Sequence, residues 1–237
     1  MDWSLFAFGA TGWGDELAAG LVVTLTVAVS SYVFGTLAGL LCGLVELYAP
    51  RWIAGIFGLY AVVLRSVPEL LMLFLTYYAA AILINAALAG IGIDAEVSIS
   101  PFVAGVIALS VVQGAYTSEV VKGAIRSVPT GLIEAATALG MRPMVVFFKV
   151  TFPIALRYAF SGLANLWMVI IKNTPFVSAI GVADFIGQAS TAGQNTKHYF
   201  AFFIAALLVY LVISALSMLV QSWGDRRLFR HVPPPGA

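Results

Sequence analysis

Residues 134–153 read EAATALGMRPMVVFFKVTFP, a short cation-bearing helix–glycine–helix pattern set between long apolar segments. The runs on either side reach or pass the roughly 20 apolar residues that a helix needs to cross a bilayer. The 237-residue chain is 61% hydrophobic and 10% charged, with a mean hydropathy of +1.00. A soluble domain of this size needs far more polar surface to cover its core. No strong alternation of polar and apolar residues suggests a transmembrane barrel. The expected fold class is therefore an all-α integral membrane protein, one domain over residues 1–237 with no internal repeat.

The hydropathy pattern predicts about five spans. The first runs from Leu17 to Leu44 and the second from Ile53 to Ala89. The third, Pro101 to Val121, follows the loop GIGIDAEVSIS. The fourth runs from Ile154, with interruptions, to Ile186, and the fifth from Tyr199 to Ser222. The remaining tail, GDRRLFRHVPPPGA (224–237), is expected to be disordered.

Cations set the expected orientation. Arg51 lies in the first loop, Lys122, Arg126, Arg142, Lys149 and Arg157 in or beside the third, and Arg226, Arg227 and Arg230 in the tail. Five spans put these three regions on one side, the cytoplasm, with the N-terminus out and the C-terminus in. Asp2, Asp15, Glu16, Asp94 and Glu96 then fall outside, with Lys197 as the one outward cation. The N-terminus is acidic, unlike the basic start of a signal peptide. Trp3 and Trp13 suit a membrane–water interface.

Other chemistry is limited by composition. The net charge of +1 gives no electrostatic case for nucleic acid. Cys42 is the single cysteine, which excludes an intramolecular disulfide and a thiol metal site. His198 and His231 lie far apart, so no metal site is expected. No G-x-x-x-x-G-K-[ST] phosphate cradle is present, so any ATP hydrolysis that drives this chain belongs to a separate polypeptide.

Within residues 134–153 and just before them, Pro129 and Thr130 read as a helix start, with Thr130 able to cap free backbone N–H groups. Leu132, Ile133, Ala136 and Leu139 share one helical face. Gly140 suits a left-handed stop, and Pro143 the first turn of a second helix that runs to Pro153. Ala135, Ala136 and Ala138 let a partner backbone approach closely, and Glu134 can pair with a basic partner or cap its own helix. Physics alone leaves two readings: a helix lying on its own bundle or the membrane interface, and a surface gripped by another protein.

Charges also occur where lipid is expected. Arg65 lies about 12 residues into the second span, roughly 18 Å deep at 1.5 Å per residue, and Lys172 is similarly deep in the fourth. Burying each costs at least ~2.5–3.5 kcal/mol, so both need partners or water. Glu69, one turn after Arg65, can share its face despite the intervening Pro68, and Glu119 is a second candidate counter-ion. In IKNTP (171–175), Pro175 breaks the span, so Lys172, Asn173 and Thr174 can offer polar groups to a cavity. Gln113 and Tyr116 can add polar wall. The competing reading makes Arg65, Glu69, Glu119 and Lys172 structural pairs that fix helix packing. Tyr77, Tyr78, Trp167 and the Phe pairs read as packing or interface residues.

One resemblance decides between the readings of the loop. Glu134-Ala135-Ala136, three residues, Gly140, nine residues, Val150, one residue, then Phe152-Pro153 resembles the EAA loop of ATP-binding-cassette (ABC) importer permeases. The family pattern carries Ile and Leu where this chain has Val150 and Phe152. GAYTSEVVKGAIRSVPTGLIEAATALGM, LRSVPELLMLF and IIKNTPFVSAIGVADF resemble the polar amino acid group, which serves histidine, lysine–arginine–ornithine and opines, over nearly the whole chain. The resemblance implies a type I importer permease fold in the bacterial inner membrane, with residues 127–153 as the coupling loop. It implies two ABC ATPase subunits holding ATP and Mg²⁺, an extracytoplasmic amino-acid-binding protein, and a second permease, itself or a sister chain. No cofactor is expected on this chain, which is a transport subunit and not an enzyme. The rival functions are an ion-gradient-driven secondary amino acid transporter, which leaves the loop unexplained, and a membrane scaffold or sensor, which leaves Arg65, Glu69 and Lys172 without a purpose.

Overall fold

The computed structural model describes residues 3–9, 12–93 and 97–228. Asp2, Asp94, Glu96, Arg230 and His231 lie outside these residues. Among the described residues there is no strand, and five helical runs are long and apolar enough to cross a membrane: Gly14–Tyr48, Glu69–Gly90, Pro101–Arg126, Pro143–Ile180 and Tyr199–Arg227.

Helix α1 (Gly14–Tyr48) carries Asp15 and Glu16 in its first turn, where negative charge complements the helix dipole. It packs in parallel along α5 (Pro101–Arg126), whose start is set by Ser100 accepting from the Val103 N–H and by Pro101 in the first turn. Close approach requires the glycines of α1. A Cβ at Gly35 would lie 2.6 Å from the Gln113 side chain, and one at Gly39 would lie 2.5 Å from the Gly114 carbonyl. Small residues at such a seam bring backbones into van der Waals contact, the main source of helix association in lipid. Helix α5 is the hub: its most apolar stretch is 67% buried, against 6% for Glu69–Gly90 and for Tyr199–Arg227. Those two outer helices face lipid or another chain.

The second span departs from the sequence expectation of one run from Ile53 to Ala89. The structure divides it into α2 (Arg51–Ser66) and α3 (Glu69–Phe74), which continues through a π turn at Leu75–Ala79 into α4 (Ala80–Gly90). Val67 is extended, because a residue before proline is pushed out of the helical region. Helix α2 buries Ala61 and Leu64 while Trp52, Ile56, Leu59 and Val62 face outward. Arg65 therefore sits in the last turn of α2, not in the middle of a span.

The fourth span differs as well. After α6 (Thr130–Ala138), helix α7 (Pro143–Val146) runs through a π turn at Phe147–Thr151 into α8 (Phe152–Asn173). The handover to the fourth span, expected at Pro153, falls at Phe152, where a π turn shifts the hydrogen-bond register just before the residue that cannot donate. Pro175 does end the α-helix: Thr174–Ile180 is a 3₁₀ turn, closed by Gly181 at φ 90°. A separate α9 (Phe185–Thr196), absent from the sequence reading, precedes α10 (Tyr199–Leu228). The tail expected to be disordered from residue 224 is helical to Leu228, with the Arg227 guanidinium 4.2 Å from the Trp223 ring centre. Residues 229–237 lie outside the described set. Trp13 packs half-buried against the cluster around Phe185 and Phe202.

Candidate functional site

Helix α6 is laid on the bundle by Ile133, which packs on the cluster of Ala124, Val128, Ala155 and Ala159, and Ala136 is buried on the same helix. Leu132 and Leu139, expected on the same face, point away, and Leu139 is 83% exposed. Glu134 and Ala135 are exposed beside them. Thr130 makes no cap; Pro129 occupies that position, and Thr130 is the first helical residue. The end of α6 follows the expectation. Gly140 has φ 77°, its N–H donates to the Thr137 carbonyl at 2.9 Å, and the Met141 N–H donates to the Ala136 carbonyl at 3.3 Å. This paired bonding with a left-handed glycine is the Schellman stop, which satisfies otherwise orphaned carbonyls. Pro143 then opens α7, and Pro153 lies exposed in the first turn of α8.

The charged and polar candidates separate into distinct places. Arg65 pairs with Glu119, Nη2 to Oε1 at 2.9 Å, and not with Glu69. Glu119 also accepts from Lys122 Nζ at 2.7 Å, and Lys122 donates to Glu46 Oε2 at 2.6 Å. This network ties α1, α2 and α5 together at the end of the bundle that carries α6. Lys122 and Glu46 side chains are each 10% exposed. The sequence reading missed Glu46 because its partner is 76 residues away.

A second group forms where α8 stops. The Asn173 amide donates to the Glu69 carboxylate, joining the start of α3 to the end of α8. Thr174 is buried, donating to the Ile171 carbonyl at 2.8 Å, with its hydroxyl 3.2 Å from that of Tyr210. Lys172 is exposed and makes no ion pair among the described residues. Gln113 stands apart: it is buried in the α1–α5 seam, with Nε2 3.5 Å from Thr117 Oγ1. Tyr116 is half-buried on the same helix.

Asp184 went unread in the sequence, although an acidic residue before FIGQAS is a recognisable helix start. It is fully buried and accepts from the Gly187 N–H at 2.9 Å and the Ile186 N–H at 3.4 Å, while Thr24 Oγ1 accepts from the Phe185 N–H at 3.0 Å. Burial pushes its carboxyl from the ordinary 3.8 up to about 6, against the opposing pull of the two N–H donors. A raised folded-state value means that the neutral acid is the favoured form. Its stabilising contribution is complete below pH 3.8 and is lost as pH rises through about 6. Asp184→Asn keeps a capping oxygen and is expected to remove that pH dependence, read as a flatter unfolding temperature across the interval.

The loop and the broken helix acquire a context from known proteins. The family model of the binding-protein-dependent transport system inner membrane component matches residues 35–230. The chain belongs to that family. The permease is 36% identical over 232 residues to the nopaline transport system permease protein NocQ of Agrobacterium fabrum, covering 95% of this chain and 98% of that one. It is 38% identical over 216 residues to the histidine/lysine/arginine/ornithine transport system permease protein HisQ of Salmonella typhimurium, covering 91% and 94% of the two chains. Its fold matches a chain in the crystal structure of an amino acid ABC transporter with histidines, at a TM-score of 0.79 and 29% identity over 91% of this chain and 95% of that one. The permease is thus a multi-pass inner-membrane protein of the ABC-importer type, and its relatives are transport subunits.

Proposed function

We propose that this permease moves a polar or basic amino acid, or an amino-acid-derived opine, through the inner membrane as one permease domain of an ABC importer. Hydrolysis of ATP, with its Mg²⁺, belongs to two separate ATPase subunits, and this chain holds no cofactor. The observation that carries the reading is the Gly140-stopped helix α6, which presents Glu134, Ala135 and Leu139 outward on a family member without a phosphate cradle. An exposed apolar residue beside small ones is suited to docking in a partner's groove. The loop faces the cytoplasm, N-terminus out and C-terminus in, as the cation distribution argues.

Five spans with two nearly unburied outer helices do not enclose a path. A second permease, either another copy or a sister chain, completes it, and an extracytoplasmic amino-acid-binding protein delivers the solute. Glu69 and Asn173 are hydrogen-bonded at the end of α8, with Lys172 exposed one position before and Thr174 buried one position after. There a carboxylate, an amide and an ammonium group offer complementary contacts to both ends of a zwitterion. Arg65 and Glu119 act nearer the loop as an ion pair that transmits movement of the loop to α2.

Uptake in vesicles containing the permease, its ATPase and the binding protein tests this. With ATP inside and ion gradients collapsed, uptake is expected to persist; loss under those conditions favours a gradient-driven carrier. Glu69→Ala and Lys172→Ala are expected to reduce uptake at least ~tenfold, the effect of about 1.4 kcal/mol. Unchanged uptake in both variants removes these residues from the path.

A further inference from the structure

We propose that the groove between the loop-side end of α1 and helix α7 binds an anionic phospholipid of the inner leaflet. Its acyl chain lies along Tyr48 and Phe148, and its phosphate sits among Arg51, Arg142 and Lys149.

The groove has a volume of about 600 Å³, with walls from Val45 and Tyr48 on one side and Met144, Phe147 and Phe148 on the other. That is within the roughly 300–1,000 Å³ of ordinary small-molecule sites. Tyr48 and Phe147 meet edge-on at 5.9 Å. Tyr48 is 62% exposed, Met144 68% and Phe148 60%, and Trp52 nearby on α2 is 71% exposed. Such a collection of open aromatic and apolar side chains fits the boundary between hydrocarbon and headgroups.

Both walls continue directly into spanning helices. Tyr48 is the last residue of α1, and α7 runs without a break into α8. The groove therefore opens along the bilayer, whereas the exposed face of α6 projects beyond it. That geometry favours lipid over the ATPase as its occupant.

Three cations flank its lining residues in sequence: Arg51 lies two positions after Ala49, Arg142 directly before Pro143, and Lys149 directly after Phe148. All three are exposed, and none forms an ion pair among the described residues. Glu46, the nearby acid on α1, is engaged by Lys122. The positive field at the rim is thus uncompensated, which selects an anionic headgroup over a zwitterionic one. The lipid would hold α7 against α1 while α6 remains free to engage its partner.

This rests on the inward orientation argued under the proposed function, but its test does not require transport. The full permease, purified with its ATPase, is placed in discs of mixed phosphatidylglycerol and phosphatidylcholine, and retained lipid is counted by native mass spectrometry. The wild type is expected to retain phosphatidylglycerol preferentially. Arg142→Gln with Lys149→Gln is expected to cut that preference about thirtyfold, at about fivefold per cation near an anionic surface. Val45→Trp, which fills the groove, is expected to reduce retention of both lipids.

Equal retention of the two lipids by the wild type, or unchanged retention in both variants, overturns the proposal. So does a Met144→Cys crosslink in native membranes to a second permease or to the ATPase, since it would give the groove a protein occupant. Labelling of Leu139→Cys from one side of the membrane reads orientation separately, so failure of that premise is distinguishable from failure of the lipid site.

Discussion

Gly140→Val is expected to leave the permease in the membrane while reducing its stimulation of the ATPase about thirtyfold. Nothing lies within 4 Å of a Cβ built at this position, so a clash is not the cause. The backbone is: φ is 77°, and the left-handed region costs an L-residue roughly 1–2 kcal/mol, more when it is β-branched. Leaving that region breaks the Gly140 and Met141 hydrogen bonds that end α6, each worth about 1 kcal/mol. Escaping the strain forfeits those bonds, so the two costs are alternatives, and either one, ~2 kcal/mol, is about thirtyfold in the population of the correctly set loop. Asn tolerates this conformation, so Gly140→Asn is expected to keep most of the stimulation. ATP hydrolysis by the reconstituted complex, with and without the variants, measures both. Normal stimulation by the valine variant would show that the angle between α6 and α7 does not transmit force.

Lys122→Met is expected to destabilise the folded chain by ~3–5 kcal/mol, the usual effect of leaving a buried charge without its partner. Lys122 neutralises Glu46 and Glu119 together at 2.6 and 2.7 Å, and its side chain is 10% exposed. Without it, Glu46 keeps a carboxylate in the α1–α5 seam, where Oε1 already has no hydrogen-bond partner among the described groups. Combining Lys122→Met with Glu46→Leu replaces a charged pair by apolar bulk, and the double variant is expected to be more stable than Lys122→Met alone. Thermal unfolding in detergent completes the cycle. If the second substitution adds to the damage, the pair is not the stabilising unit.

The sequence was informative where structure is set locally. Apolar runs, Gly140 followed by Pro143, and Pro175 after Lys172 each depend on a few neighbouring residues, and each marks a real feature of the chain. Boundaries failed where two local rules competed. Pro68 reads locally as a bend within one span, yet it ends α2 because Val67 cannot remain helical before it. The apolar stripe of α6 was legible, while its division between covered Ile133 and Ala136 and exposed Leu132 and Leu139 was not, since segments packed against α6 decide which part is covered.

Partner choice among the charges shows the same limit. Arg65 stands four residues from Glu69, yet reaches Glu119 on another helix, and Glu69 meets Asn173, 104 positions away. By itself the sequence determined that the chain lives in lipid, how many times it crosses, and where its helices can turn, because hydrophobicity and backbone preference act over short stretches. Tertiary structure alone decided which charges meet, which faces stay open, and that α1 and α7 form a groove. Those outcomes depend on packing between segments far apart in the chain, where distance along the sequence says little about distance in space.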